Sequence, residues 1–165
     1  MKKTGFTLVE ILIVVILLGI LASIVVPQFT LATVYSKESG LKHDLLVLRN
    51  QLELYRVQHG DKYPWEIAGA DNDTVVAQLL GRTNEFGEVM DASGDPRDFK
   101  CGPYMEKMPT NHFVKDSGGT GDKLEFGSVA PSSSDGTGGG WYVNTVTGKV
   151  YAYSNTTDFP DHLKF

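Results

Sequence analysis

The sequence predicts an α+β fold: a long N-terminal helix, membrane-spanning in its first half, packed on a small C-terminal antiparallel β-sheet. Three observations lead there. An apolar run from Phe6 to Val26 is 21 residues long. Leu41, Leu45, Leu48, Leu52 and Tyr55 recur at steps of four, three, four and three, which is one face of an amphipathic helix. Near the C-terminus, two segments rich in aromatic and β-branched residues flank a turn that carries glycine. The 165 residues suffice for about one domain.

Composition narrows the function classes. With 15 Lys and Arg against 20 Asp and Glu, the net charge is -5, the wrong sign for a chain that coats nucleic acid. One cysteine excludes an intramolecular disulfide framework and a multi-thiolate zinc site. A hydrophobic content of 41% fits a folded domain, and a mean hydropathy of -0.14 excludes a polytopic membrane protein. The averages conceal three regimes. Ile11 to Val26 carries no charge, the middle is densely charged, and nine of the 18 glycines lie between Gly118 and Gly148.

The apolar run, as a helix, matches the bilayer core of ~30 Å at ~1.5 Å per residue. Lys2 and Lys3 precede it, so the positive-inside rule puts the C-terminal bulk outside the cytoplasm. Three readings compete. A cleaved secretory signal would use Leu21-Ala22-Ser23 as its small-residue site. A plain signal anchor is the second. The third must explain Glu10, since a carboxylate inside a spanning helix costs ~2.5–3.5 kcal/mol and such groups are usually paired and functional. No cation lies within the apolar stretch, which leaves Glu10 without a partner in its own uncleaved helix. A cut between Gly5 and Phe6 would supply one, because the new α-amino group, with a reference pKa of ~7.7–8, is largely protonated at neutral pH. Its own terminus or a neighbouring subunit's could then reach Glu10.

Lys2-Lys3-Thr4-Gly5, then Phe6-Thr7-Leu8-Val9-Glu10, then the apolar helix with Pro27, resembles the class III leader of type IV pilins and type II secretion pseudopilins. The resemblance implies a pilin-like fold, cleavage after Gly5 by a prepilin peptidase, N-methylation of Phe6, and Glu10 facing a neighbour's N-terminus in a filament. Pro27 removes a helical hydrogen bond and kinks or loosens the helix. The family implies loosening there on assembly. Gly19 reads as a close-packing residue or a tolerated helix defect.

Beyond Pro27 the Leu41–Tyr55 stripe continues the helix to about His59, with Gly60 as its stop and Gly40 as a point of bending. The stripe suits core packing better than a coiled coil, for which two heptads are too few. The organisation is therefore a leader over residues 1–5, a membrane or filament-core helix over 6–27, its amphipathic half over 28–59, and a globular domain over 60–165.

Tyr63-Pro64-Trp65 follows the turn signal Gly60-Asp61 and should cover one end of the core. Asp73 reads as the N-cap of a short helix over residues 74–80 that Gly81 ends. Residues 82–100 read as loop. Asp91, Asp95 and Asp98 offer oxygen ligands near Gly94, but their spacing is not that of an EF-hand. Cys101 has no nucleophile signature, and His112 is not placed by any motif to serve as its base. No metalloprotease, serine-hydrolase or phosphate-loop pattern occurs, so no catalytic residue is assigned.

Trp141–Asn144 and Lys149–Tyr153 around Thr145-Val146-Thr147-Gly148 predict a β-hairpin, with Val150 and Ala152 on one face and Tyr151 and Tyr153 on the other. One face should close on the helix stripe. This hairpin and the run from Gly102-Pro103-Tyr104 to Met108-Pro109 are similar to segments of the major pseudopilin family of type II secretion. Many type IV pilins close a C-terminal loop with two cysteines, which a single cysteine forbids. The major pseudopilins usually bind calcium in an acidic loop near the C-terminus. Asp158 and Asp161 are the candidate ligands here, although the longer acidic loop is missing and the stretch from Gly118 to Gly140 is longer.

The resemblance thus implies a non-catalytic subunit that polymerises into a pseudopilus for protein secretion across the outer membrane. It implies no required cofactor apart from the calcium just considered. The partners are further copies of itself, a prepilin peptidase, an inner-membrane assembly platform, minor pseudopilins and the bacterial inner membrane, with no nucleic acid. The filament would then be periplasmic or extracellular. A type IV pilin or minor pilin for adhesion, motility or DNA uptake is the alternative, and a membrane-anchored enzyme is a further one.

Overall fold

A computed structural model describes residues 5–114, 121–131, 139–154, 162 and 164. The element order is α1 (Leu8–Gln58), α2 (Pro64–Ala68), α3 (Asn72–Leu80), β1 (Lys123–Gly127), β2 (Gly140–Asn144) and β3 (Val150–Tyr153). The chain forms two compact units, Met1–Ser39 and Gly40–Phe165, and the division falls at Gly40.

The first unit holds the N-terminal part of α1. Many of its apolar residues, among them Ile11, Leu12, Ile16 and Leu21, are exposed. This stretch is long and apolar enough to cross a membrane. The helix is continuous through Pro27, which has no N–H to offer the carbonyl of Ser23. The Ser23 hydroxyl donates to the Ile20 carbonyl at 2.7 Å.

In the second unit the predicted stripe does what its spacing requires. Leu41, Leu45, Leu48, Leu52 and Tyr55 are all buried. Each such apolar side chain contributes about 1.5–3 kcal/mol relative to exposure. Trp141, Val143, Val150 and Ala152 form the buried face of the sheet. Arg49 fastens helix to sheet, its Nε and Nη2 donating to the Val150 carbonyl at 3.1 and 2.6 Å.

The hairpin is present, with Trp141 opposite Ala152 and Val143 opposite Val150. Its turn closes through Gly148 N–H to the Asn144 carbonyl at 2.9 Å. Gly148 sits at φ 69, and a Cβ there would meet the Tyr63 ring. Both conditions favour glycine.

The sheet departs from the antiparallel expectation in one respect. It has a third strand, and β1 runs parallel to β2, from Lys123 opposite Gly140 to Gly127 opposite Asn144. The sheet is mixed, ordered β1-β2-β3. A parallel neighbour needs a crossover rather than a tight turn, so no hairpin signal announces it.

Two helical details also differ. The N-cap of α3 is Asp71, not Asp73: its carboxylate accepts from Thr74 N–H at 3.0 Å and from the Thr74 hydroxyl at 2.8 Å. Gly81 ends the helix as expected, donating to the Ala77 carbonyl. Pro64 and Trp65 open the short helix α2, and Trp65 stacks on Tyr63 with ring centres 4.5 Å apart. Trp65 is buried, so the aromatic pair covers the core as predicted.

Candidate assembly site at the helix N-terminus

Residues Gly5, Phe6 and Thr7 lead into α1 in non-helical conformation. The first turn of a helix leaves four N–H groups without intrahelical partners. Thr7 and Glu10 satisfy part of that need reciprocally. Thr7 N–H donates to Glu10 Oε2 at 3.1 Å, and the Thr7 hydroxyl reaches the same oxygen at 3.0 Å. Glu10 N–H in turn donates to Thr7 Oγ1 at 3.2 Å. This is a capping box with threonine at N-cap and glutamate at N3.

The arrangement corrects the reading of Glu10 as a group without a partner in its own helix. No cation pairs with it among the described residues, but it has two donors from Thr7. The pattern Thr7-Leu8-Val9-Glu10 could have revealed this, because Ser/Thr followed three residues on by Glu before an apolar run is a helix-start signature. Glu10 Oε1 has no hydrogen-bond partner among the described residues. One carboxylate oxygen thus holds the helix start together while the other faces outward, able to accept from an ammonium group.

Phe6 is 77% exposed. Gly5 would meet nothing within 4 Å if it carried a Cβ, and Gly19 and Gly40 are equally unhindered. The fold itself therefore gives no steric reason for glycine at these three positions.

The other candidate sites are placed as follows. Asp91 accepts from Ser93 N–H and from the Ser93 hydroxyl, and these bonds hold its carboxyl below the usual carboxylate range. Asp95 is lowered in the same way by Arg97, whose Nη2 lies 2.6 Å away. Both acids are committed to local turns, and among the described residues no three His, Cys, Asp or Glu side chains gather as a metal site. Asp158 and Asp161 lie outside the described residues. Cys101 is half-buried, its backbone paired with Thr83 at 2.9 and 3.0 Å, and His112 is exposed.

Sequence reasoning passed over a buried aromatic group at the end of α1. His59 stacks on Tyr55 with ring centres 3.8 Å apart, and Tyr104 tilts against both. His59 Nδ1 lies 2.9 Å from the Tyr55 carbonyl and Nε2 lies 3.1 Å from Thr83 Oγ1. A carbonyl only accepts, so Nδ1 donates to it, and Nε2 pairs with the threonine hydroxyl. The Tyr104 hydroxyl donates to Gln58 Oε1 at 2.7 Å. These contacts tie the segment after Cys101 to the end of the helix.

Comparison with known proteins points the same way. Residues 1–26 match the family described as the prokaryotic N-terminal methylation motif. The type II secretion system core protein G of Vibrio cholerae is 29% identical over 152 residues, covering 86% of this chain and 94% of that protein. The proteins of the same name from Aeromonas hydrophila and Escherichia coli are each 27% identical, over 82% and 77% of this chain and 88% and 87% of theirs. No solved structure matches. A methylation-type N-terminus on a long apolar helix, followed by a helix-backed C-terminal sheet, makes this chain similar to type IV pilin-like proteins. Within that class its likeness runs to the core protein G of type II secretion, the major pseudopilin.

Proposed function

We propose that this chain is the structural subunit of a pseudopilus, polymerising for protein secretion across the outer membrane and performing no chemistry of its own. Residues 1–5 are a leader removed by a prepilin peptidase, 6–27 the filament core, and 28–59 the half of the helix that carries the globular part. The precursor sits in the bacterial inner membrane with that globular part outside the cytoplasm. An assembly platform there, together with minor pseudopilins, receives the processed subunit.

The observation that carries this reading is the state of the helix start. Glu10 is anchored through one oxygen to Thr7, while Phe6, four residues before it, is exposed. Cleavage after Gly5 would turn Phe6 into a positive terminus in reach of a carboxylate on an adjacent copy. Pairing removes the charge penalty of an acid in lipid and fixes the register between neighbours. The exposed apolar surface of α1 provides the cohesion, first against lipid and then against other helices.

N-terminal mass spectrometry of the mature protein tests this directly. The expected terminus is Phe6, methylated, and a chain beginning elsewhere overturns the reading. Gly5→Leu should leave the precursor uncut although the fold has room for the side chain. Normal processing of that variant would place the cut at another bond.

A further inference from the structure

Helix α1 is unbroken from Leu8 to Gln58, yet its support changes along its length. The apolar run ends at Val26, and beyond Gly40 the helix is held by the buried side chains of Leu41, Leu45, Leu48, Leu52 and Tyr55. Between these parts, from Ala32 to Gly40, no residue is buried. Val34 and Glu38 are half-buried, and the other seven are exposed.

Composition changes in the same place. Six of the eight residues from Thr33 to Gly40 rank below Ala, Leu, Arg, Met, Lys, Gln and Glu in helix propensity: Thr33, Val34, Tyr35, Ser36, Ser39 and Gly40. From Leu45 to Arg56, nine of twelve belong to the favoured group. Threonine, valine and tyrosine lose side-chain freedom against the preceding turn, serine offers the backbone other hydrogen bonds, and glycine gives up the most backbone entropy. A short helical stretch with these residues and no packed face is marginal in water.

Gly40 is the weakest of them. A Cβ there would meet nothing within 4 Å, so packing gives no reason for glycine, and helix stability argues against it. The division between the two compact units falls at this residue. Lys37 and Glu38 belong in water rather than in lipid. Within lipid an opened backbone would leave N–H and C=O groups unsatisfied, whereas here water takes them up.

We propose that residues 33–40 form a joint, which opens and recloses while the remainder of α1 stays helical. Opening lets the membrane-spanning part and the globular unit move separately. The inference rests on the filament reading and deepens it. A subunit joins a fibre through its spanning helix and also brings a globular unit up to those already in place. With a joint between them, these two steps are taken in turn instead of at once. Pro27, where a helical hydrogen bond is missing, lies six residues before Thr33 and is a separate weak point.

Hydrogen exchange read by mass spectrometry tests this on the full chain in lipid nanodiscs. Amides of residues 34–40 should exchange about tenfold or more faster than those of residues 46–55. Ser36→Ala, Ser39→Ala and Gly40→Ala together replace exposed residues by the best helix former. That variant should slow exchange at 34–40 about tenfold, leave 46–55 unchanged, and cut filament number about fivefold with N-terminal processing normal. Gly40→Ala alone, a methyl added in open space, should act in the same direction on a smaller scale, and it carries the test if the triple variant disturbs 46–55. Ser36→Gly should speed exchange and keep filaments. Exchange at 34–40 as slow as at 46–55, or fast exchange confined to the residues beside Pro27, overturns the joint. Slowed exchange with undiminished filaments overturns its part in assembly. Fast exchange that the alanines slow, in an unaltered chain that never forms filaments, removes the filament reading and leaves the joint standing.

Discussion

The two oxygens of Glu10 stand in different settings. Oε2 closes the capping box with Thr7, and Oε1 stays open to an incoming charge. Losing an N-cap interaction costs about 0.5–2 kcal/mol, which matters little to a helix held by lipid. On the proposed pairing, losing the charge removes the attraction between neighbours. Glu10→Leu should therefore insert, be processed, and fail to polymerise. Thr7→Val keeps the carboxylate and its bond from the residue-7 N–H but loses both bonds of the hydroxyl, so it should polymerise at reduced yield. Both are read from membrane fractionation and from filament counts by electron microscopy, and normal filaments from the leucine variant would sink the pairing role. Glu10 was legible in the sequence as an acid standing in an apolar run. The partner was not seen, because Thr7 reads as part of that run until helix-start chemistry is considered.

At the scale of elements, legibility tracks how local the determining interaction is. The caps of α3 show this in a testable way. The segment Asp71-Asn72-Asp73-Thr74 offers two acids as N-cap, and only the hydrogen bonds separate them. Asp71 accepts from Thr74 N–H, and those bonds depress its carboxyl. Asp71→Ala should lower stability by about 1 kcal/mol, whereas Asp73→Ala, exposed in the first turn, should stay within about 0.5 kcal/mol. Chemical denaturation of the two variants decides it, and equal losses would count against the assignment. The α1 stripe and the β2–β3 hairpin were readable because periodicity and a short turn are properties of adjacent residues. Strand β1 was not. Leu124 and Phe126 alternate with charged neighbours over a bare five residues, and the pairing that makes them a strand comes from Trp141 and Val143, far along the chain. Helix α2, also five residues, is too short to carry a period.

At the scale of the whole globular unit, two phenols are folded into the core against the end of α1. Tyr55 and Tyr104 are both buried. Burial, which penalises the phenolate, pushes both hydroxyls up, and the Tyr104 hydroxyl reaches about 12. An unfolded chain releases these protons near pH ~10. Between about pH 10 and about pH 12 the unfolded state therefore holds fewer protons than the folded one, and stability falls as pH rises. Below pH ~10 both states keep the phenols protonated and the contribution is constant. The denaturation midpoint of the full chain in detergent should thus be lower at pH 11 than at pH 8. Tyr104→Phe should be weaker at pH 8, since it loses the bond to Gln58, yet show a smaller drop between the two pH values. An unchanged drop would mean that Tyr104 titrates in the folded protein as it does in water.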